Sequence, residues 1–115
     1  HAQGHPAPRV SKLLTQSLEE LGKEVRMEKV DFPAGAVSPA HRHPGPVFVY
    51  VLEGEVISAL GTGAEQTYKA GASFYEPAGG LHAVAKNPSD KIPASILAFQ
   101  IADKDKPSTV LDSHK

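Results

Sequence analysis

The 115 residues are enough for one hydrophobic core and too few for two. A formal net charge of −1 with 40% hydrophobic residues leaves no field to steer a nucleic acid, so no nucleic-acid partner is expected. No apolar run approaches the roughly 18 residues of a membrane span, and the absence of cysteine excludes disulfides and thiolate chemistry.

The start, His1-Ala2-Gln3-Gly4-His5-Pro6-Ala7-Pro8, is polar and lacks an initiator methionine. It reads as a flexible arm over residues 1–9 and as a mature end left by a removed secretory signal, which predicts a periplasmic or secreted protein, with a cytoplasmic one as the alternative. From Val10 to Leu21 the positions Val10, Leu13, Leu14, Leu18 and Leu21 fall at near-helical spacing before Gly22. A short helix and an extended arm across the domain both fit that spacing.

From Lys23 the period shifts towards two. Val25 and Met27 share one parity and Val30 and Phe32 the other, which predicts a bulge near Glu28 or Lys29. Val47 to Leu52 is an unbroken apolar run; Glu53-Gly54 and Gly61-Thr62-Gly63 mark turns on either side of Glu55 to Leu60. Tyr68 to Ala70, Ser73 to Glu76, His82 to Ala85 and Ser95 to Ile101 bring the total to about eight short strands. Their regular spacing is that of an all-β sandwich or barrel. The barrel domain is expected over residues 10–104, with a tail over 105–115.

The run at Val47 is apolar on both faces. Val47, Val49 and Val51 form one face, expected to line a pocket, and Phe48, Tyr50 and Leu52 form the other. A strand apolar on both sides needs a cover on its outer side: the N-terminal arm, a second sheet or another subunit. A homodimer is the expectation.

Of six histidines, His1, His5 and His114 lie in the terminal stretches. His41 and His43, one residue apart, point to the same face of an extended chain. At about 3.3 Å of rise per residue their backbones stand roughly 6–7 Å apart, so two imidazoles can converge on one ion with bonds of about 2.0–2.1 Å. His82 follows the turn Pro77-Ala78-Gly79-Gly80 and can close the triangle from another strand. The three histidines are the candidate metal ligands.

The punctuation around them carries a resemblance. Gly35, five residues, His41-Arg42-His43, and Gly54 after ten more resemble the first cupin motif. Gly71, five residues, Pro77, one residue, Gly79, two residues and His82 resemble the second. The resemblance implies an all-β, cupin-type jelly-roll barrel with a divalent transition metal held inside by His41, His43 and His82. Two positions depart from the family's pattern. Val47 stands where a glutamate ligand is usual, and Lys86 stands where an asparagine is usual, with Asn87 one place later.

Without the glutamate, three neutral imidazoles leave the full charge on the ion and keep coordination positions open. Nitrogen donors suit iron(II), zinc, nickel or copper better than magnesium or calcium, with manganese a further alternative. Three-histidine cupins include iron(II) dioxygenases, so the resemblance implies a metal-dependent enzyme acting on a small chelating substrate, with iron(II) favoured. The alternative is a non-catalytic module that binds or senses a small molecule. Glu76, beside Pro77, is the candidate catalytic carboxylate, a substitute ligand or a partner that orients an imidazole. Gln100, in phase with Ile96 and Ala98, is expected to face the pocket. Gly61-Thr62-Gly63 opens no helix, so a phosphate loop is not expected, and no Gly-x-Ser-x-Gly elbow occurs.

Overall fold

A computed structural model describes residues 4–111; His1 and His114 lie outside them. In chain order the strands are β1 (Arg9–Leu18), β2 (Lys23–Phe32), β3 (Val37–Ser38), β4 (His41–Arg42), β5 (Val47–Glu53), β6 (Glu55–Leu60), β7 (Gln66–Lys69), β8 (Ser73–Glu76), β9 (Leu81–Lys86), β10 (Ala94–Asp103) and β11 (Val110–Leu111). They form two antiparallel sheets in a jelly-roll arrangement. The first runs β1-β2-β10-β5-β8 and the second β11-β4-β9-β6-β7, with β3 also on β9.

The segment with helical spacing is a strand. β1 pairs along β2, and only Glu19–Leu21 closes a single 3-10 turn. The register shifts between Lys12 and Leu14, where one extra residue enters β1. That bulge puts apolar residues three and four apart in a strand, which imitates a helix in the sequence. The bulge expected in β2 therefore lies in its partner. β2 pairs with β10 without interruption from Lys23 to Phe32, so Glu28, Val30 and Phe32 share one face and Val25 and Met27 the other.

β5 alternates cleanly. Val47, Val49 and Val51 are buried, while Phe48, Tyr50 and Leu52 are 41–48% exposed. Val51 packs with Phe32, Ala36, Val56 and Ala94 in the closed core; removing one such side chain from water contributes about 1.5–3 kcal/mol. The N-terminal strand does not cover the outer face of β5. It extends the far edge of the same sheet, beyond β2 and β10.

Residues 105–111, read as tail in the sequence, return to the barrel. β11 pairs with β4, Val110 opposite Arg42 and Leu111 opposite His41. Arg26 fastens this return. Its guanidinium donates to Ser108 Oγ at 2.8 Å, to the carbonyls of Lys106 at 2.7 Å and Asp103 at 3.3 Å, and to Glu24 Oε2 at 2.6 Å.

Candidate metal centre

His41 on β4 and His82 on β9 are direct cross-strand partners, so both rings project from the same face of the second sheet. His43 follows two residues after His41, at the turn His43-Pro44-Gly45. Two close approaches hold that turn. A Cβ added at Gly45 would lie 1.7 Å from the Ile101 carbonyl oxygen, so only glycine lets the chain pass. The amide of Gly79, a residue with φ +73°, donates to the His43 carbonyl at 2.7 Å and ties the turn before His82 to the turn after His43.

Glu76 arrives from the opposite sheet. It is the cross-strand partner of Val47, so its carboxylate enters the cavity beside the position where the family's glutamate would stand. Directly opposed side chains have Cβ atoms only about 4.5–5.5 Å apart. A carboxylate thus lines the cavity from β8, where β5 has Val47.

One donor atom each from His41, His43, Glu76 and His82 lies within 4.8 Å of the others. His82 Nδ1 is 3.2 Å from His41 Nε2 and 3.0 Å from Glu76 Oε1, and His43 Nε2 is 3.5 Å from the same oxygen. Ligands about 2.0–2.2 Å from one ion stand roughly 3–3.5 Å apart, so this group can hold a metal with small adjustments.

Each ring is held by its other nitrogen. His41 Nδ1 donates to the Pro39 carbonyl at 2.8 Å and His43 Nδ1 to the Ser108 carbonyl at 2.9 Å. A carbonyl only accepts, so both rings carry a proton on Nδ1 and turn Nε2 inward. His82 is reversed: Nε2 lies 2.7 Å from Ser58 Oγ, and Nδ1 faces the cluster. Such outer partners set tautomer and orientation at metal sites.

The charge states suit a cation. Burial pushes the His41 imidazole below the ordinary histidine range; His43 and His82 add to this, and the Pro39 carbonyl and Glu76 oppose it. Burial opposes ionisation of Glu76, but contact with His82 and the field of all three imidazoles outweigh it, and the carboxyl falls below the usual range. Although Glu76 Oε1 sits close to two rings, no donor is aligned with it, and it is buried without a hydrogen-bond partner. A buried carboxylate oxygen in that state is costly. A bound cation would satisfy it, so the residues present fit a divalent metal.

Residues 28–99 match the cupin domain family model, more than half of the chain. The protein belongs to the cupin family. A cupin domain from Bordetella pertussis superposes with a TM-score of 0.67 at 21% identity, covering 84% of this chain and 95% of that one. Oxalate oxidase in complex with the substrate analogue glycolate superposes at 0.72 with 24% identity, over 91% of this cupin but 55% of the oxidase chain. A DMSP lyase from Ruegeria pomeroyi gives 0.69 at 22% identity, over 79% and 45%. These likenesses establish the fold. No curated protein matches the chain.

The departure at Lys86 has a structural cause. Between β9 and β6 the register shifts, Leu60 opposing His82 but Ala59 opposing Val84. The extra residue, Ala83, flips the parity, so His82, Ala85 and Asn87 are buried and Lys86 turns away. Asn87 Nδ2 then donates to the carbonyls of Phe32 at 3.1 Å and Ile92 at 2.9 Å.

The cavity beside the cluster has a volume of about 370 Å³ and is lined by Val47, Val49 and Gln100 among others. Val51, expected there, lies below it in the closed core. Gln100 is 5% exposed, and its Nε2 donates to the Ser108 carbonyl at 2.9 Å. Three contributors went unread in the sequence: Ser58, Ser108 and Glu28. Ser58 was legible as the lone polar residue inside the apolar run of β6. Glu28 shares the parity of Val30 and Phe32, and the bulge expected in β2 obscured it. Ser108 acts through its backbone carbonyl and left no signal.

Proposed function

We propose that this cupin is a metal-dependent enzyme acting on a small chelating substrate, with His41, His43, His82 and Glu76 as the ligands of one divalent transition metal. The observation that carries this reading is the convergence of three tethered imidazoles and one buried, unpartnered carboxylate at the end of an apolar cavity. Glu76 thereby moves from catalytic base to ligand, and one negative charge offsets part of the charge on the ion. The nitrogen-rich donor set favours iron(II), with zinc, nickel, copper and manganese as alternatives. When bound, such an ion supplies Lewis-acid or redox chemistry to an oxygen-bearing group placed against it.

The protein's own residues set the conditions. His41 and His43 are tethered through Nδ1 with Nε2 facing the cluster, and Ser58 holds His82 with Nδ1 inward. Val47, Val49 and Ala98 exclude water from one side of the cavity, which strengthens every charge interaction within it. The volume admits a small molecule. The oxalate oxidase neighbour, whose structure contains glycolate, supports a small chelating acid as the substrate type. The outer face of β5, where Phe48 and Tyr50 stand exposed and Phe48 meets Tyr75 at 5.2 Å between ring centroids, supports assembly as a homodimer.

Elemental analysis of the purified protein beside His82→Ala tests the centre. Near-stoichiometric metal that disappears in the variant is expected, and oxygen uptake by the iron-loaded protein against small diketones, thiols and phenols reads activity. Tight binding of one compound without turnover would favour a non-catalytic binding module.

A further inference from the structure

The wall opposite the histidines has a polar feature that the metal does not use. Glu28 on β2 lines the cavity together with Gln100 on β10. Its cross-strand partner is Ala98, whose small side chain leaves space in front of the carboxylate. Gln100 sits two residues along β10, diagonal to Glu28 and within reach of the same guest. Its Nε2 is committed to the Ser108 carbonyl, which leaves Oε1 as an acceptor.

The cavity is one-sided in charge. Among the described residues its lining includes the carboxylates of Glu28 and Glu76 and the three histidines, and no lysine or arginine. Glu28 has no ion pair among the described residues. The cations nearest in register do not neutralise it. Arg26, on the same face of β2, donates instead to Glu24, Ser108 and two backbone carbonyls. Glu28 also borders an adjoining cavity with Lys12, its partner on β1, and with Arg26 and Lys106, and none of these cations makes an ion pair with it. A carboxylate facing an apolar chamber strongly favours a guest that brings a positive donor.

We infer that Glu28 and Gln100 form a recognition site for the cationic end of the substrate, so that the pocket selects a small amino-carboxylate whose acid end faces the metal centre and whose ammonium end faces Glu28. The acid end of this assignment rests on the metal reading above; the ammonium end rests on the wall itself. β2 and β8 are separated by β10 and β5, so Glu28 and the Glu76 strand stand about 14 Å apart along the sheet at about 4.8 Å per strand. The reach of the side chains and the curvature of the barrel shorten that gap, which leaves room for several bonds between the two ends of the ligand. An acid with an apolar tail would leave the half-buried Glu28 unpaired beside hydrocarbon, and a dicarboxylate would oppose it with like charge.

Calorimetric titration of the zinc-loaded protein tests this, with γ-aminobutyrate and δ-aminovalerate as probes against butyrate, valerate and glutarate. The expected result is about tenfold or greater preference for the amino acids over the matched monocarboxylates, with glutarate weakest. Glu28→Gln, of nearly the same shape, is expected to erase the preference by weakening the amino acids, while valerate binding does not fall and zinc content is retained. Glu28→Asp, which keeps the charge on a shorter stem, is expected to retain the preference. Equal binding of amino and plain acids by the unaltered protein, or a preference that survives in Glu28→Gln, would overturn the assignment. Zinc content of the same samples reports separately on the centre. Its absence would refute the metal reading, whereas the amine preference stands or falls with Glu28.

Discussion

The two walls of the cavity are built on opposite plans. On the wall of β4 and β9, polar groups are fixed at both ends: each imidazole faces the cluster with one nitrogen and a defined oxygen with the other. On the wall of β2, β10 and β5 the side chains are mostly apolar, and only Glu28 and Gln100 interrupt them. The first wall gathers groups that could hold a metal ion; the second sets the volume and charge of what fits beside them. Glu76 belongs by topology to the sheet of the apolar wall and by chemistry to the wall of the histidines.

That contrast can be sharpened by substitutions on each side. Ser58→Ala removes the partner that holds His82 without touching a ligand. Metal affinity is expected to fall about 10–100-fold, measured by chelator competition, with thermal stability little changed. An affinity equal to that of the unaltered protein would mean that the ring is held by packing alone. Val49→Ala on the apolar wall should do the reverse. Val49 is 3% exposed, so losing two methyl groups is expected to cost about 1–2 kcal/mol in denaturant unfolding, with metal affinity unchanged. If Val49→Ala weakened metal binding as much as Ser58→Ala, the division between the walls would fail.

The same division explains what could be read from residues alone. The histidines were legible because they sit among turn signals that fix their strands: Gly45 where the backbone of Ile101 passes, and Gly79 where φ is positive. The period of two in β5 announced its buried valines. What stayed hidden depended on pairing between distant segments. Glu76 was legible as a substitute ligand from its place beside Pro77, but its position opposite Val47 comes only from the pairing of β8 with β5. Ser108 reaches His43 because the returning chain is held by Arg26, 82 residues away in sequence, by Gln100 and by the pairing of β11 with β4. Bulges misled in both directions: the one in β1 imitated a helix, and the one at Ala83 displaced the motif asparagine to Asn87.

The central claim is that Glu76 replaces, across the ladder, the carboxylate that Val47 lacks. Metal dissociation constants for Glu76→Val and for the exchange Val47→Glu with Glu76→Val test it most directly, with folding of each checked by circular dichroism. The account predicts that Glu76→Val loses affinity by more than Ser58→Ala does, and that the exchange restores most of it by returning the carboxylate to β5. Undiminished affinity in Glu76→Val, or a folded exchange variant no tighter than Glu76→Val, would contradict it.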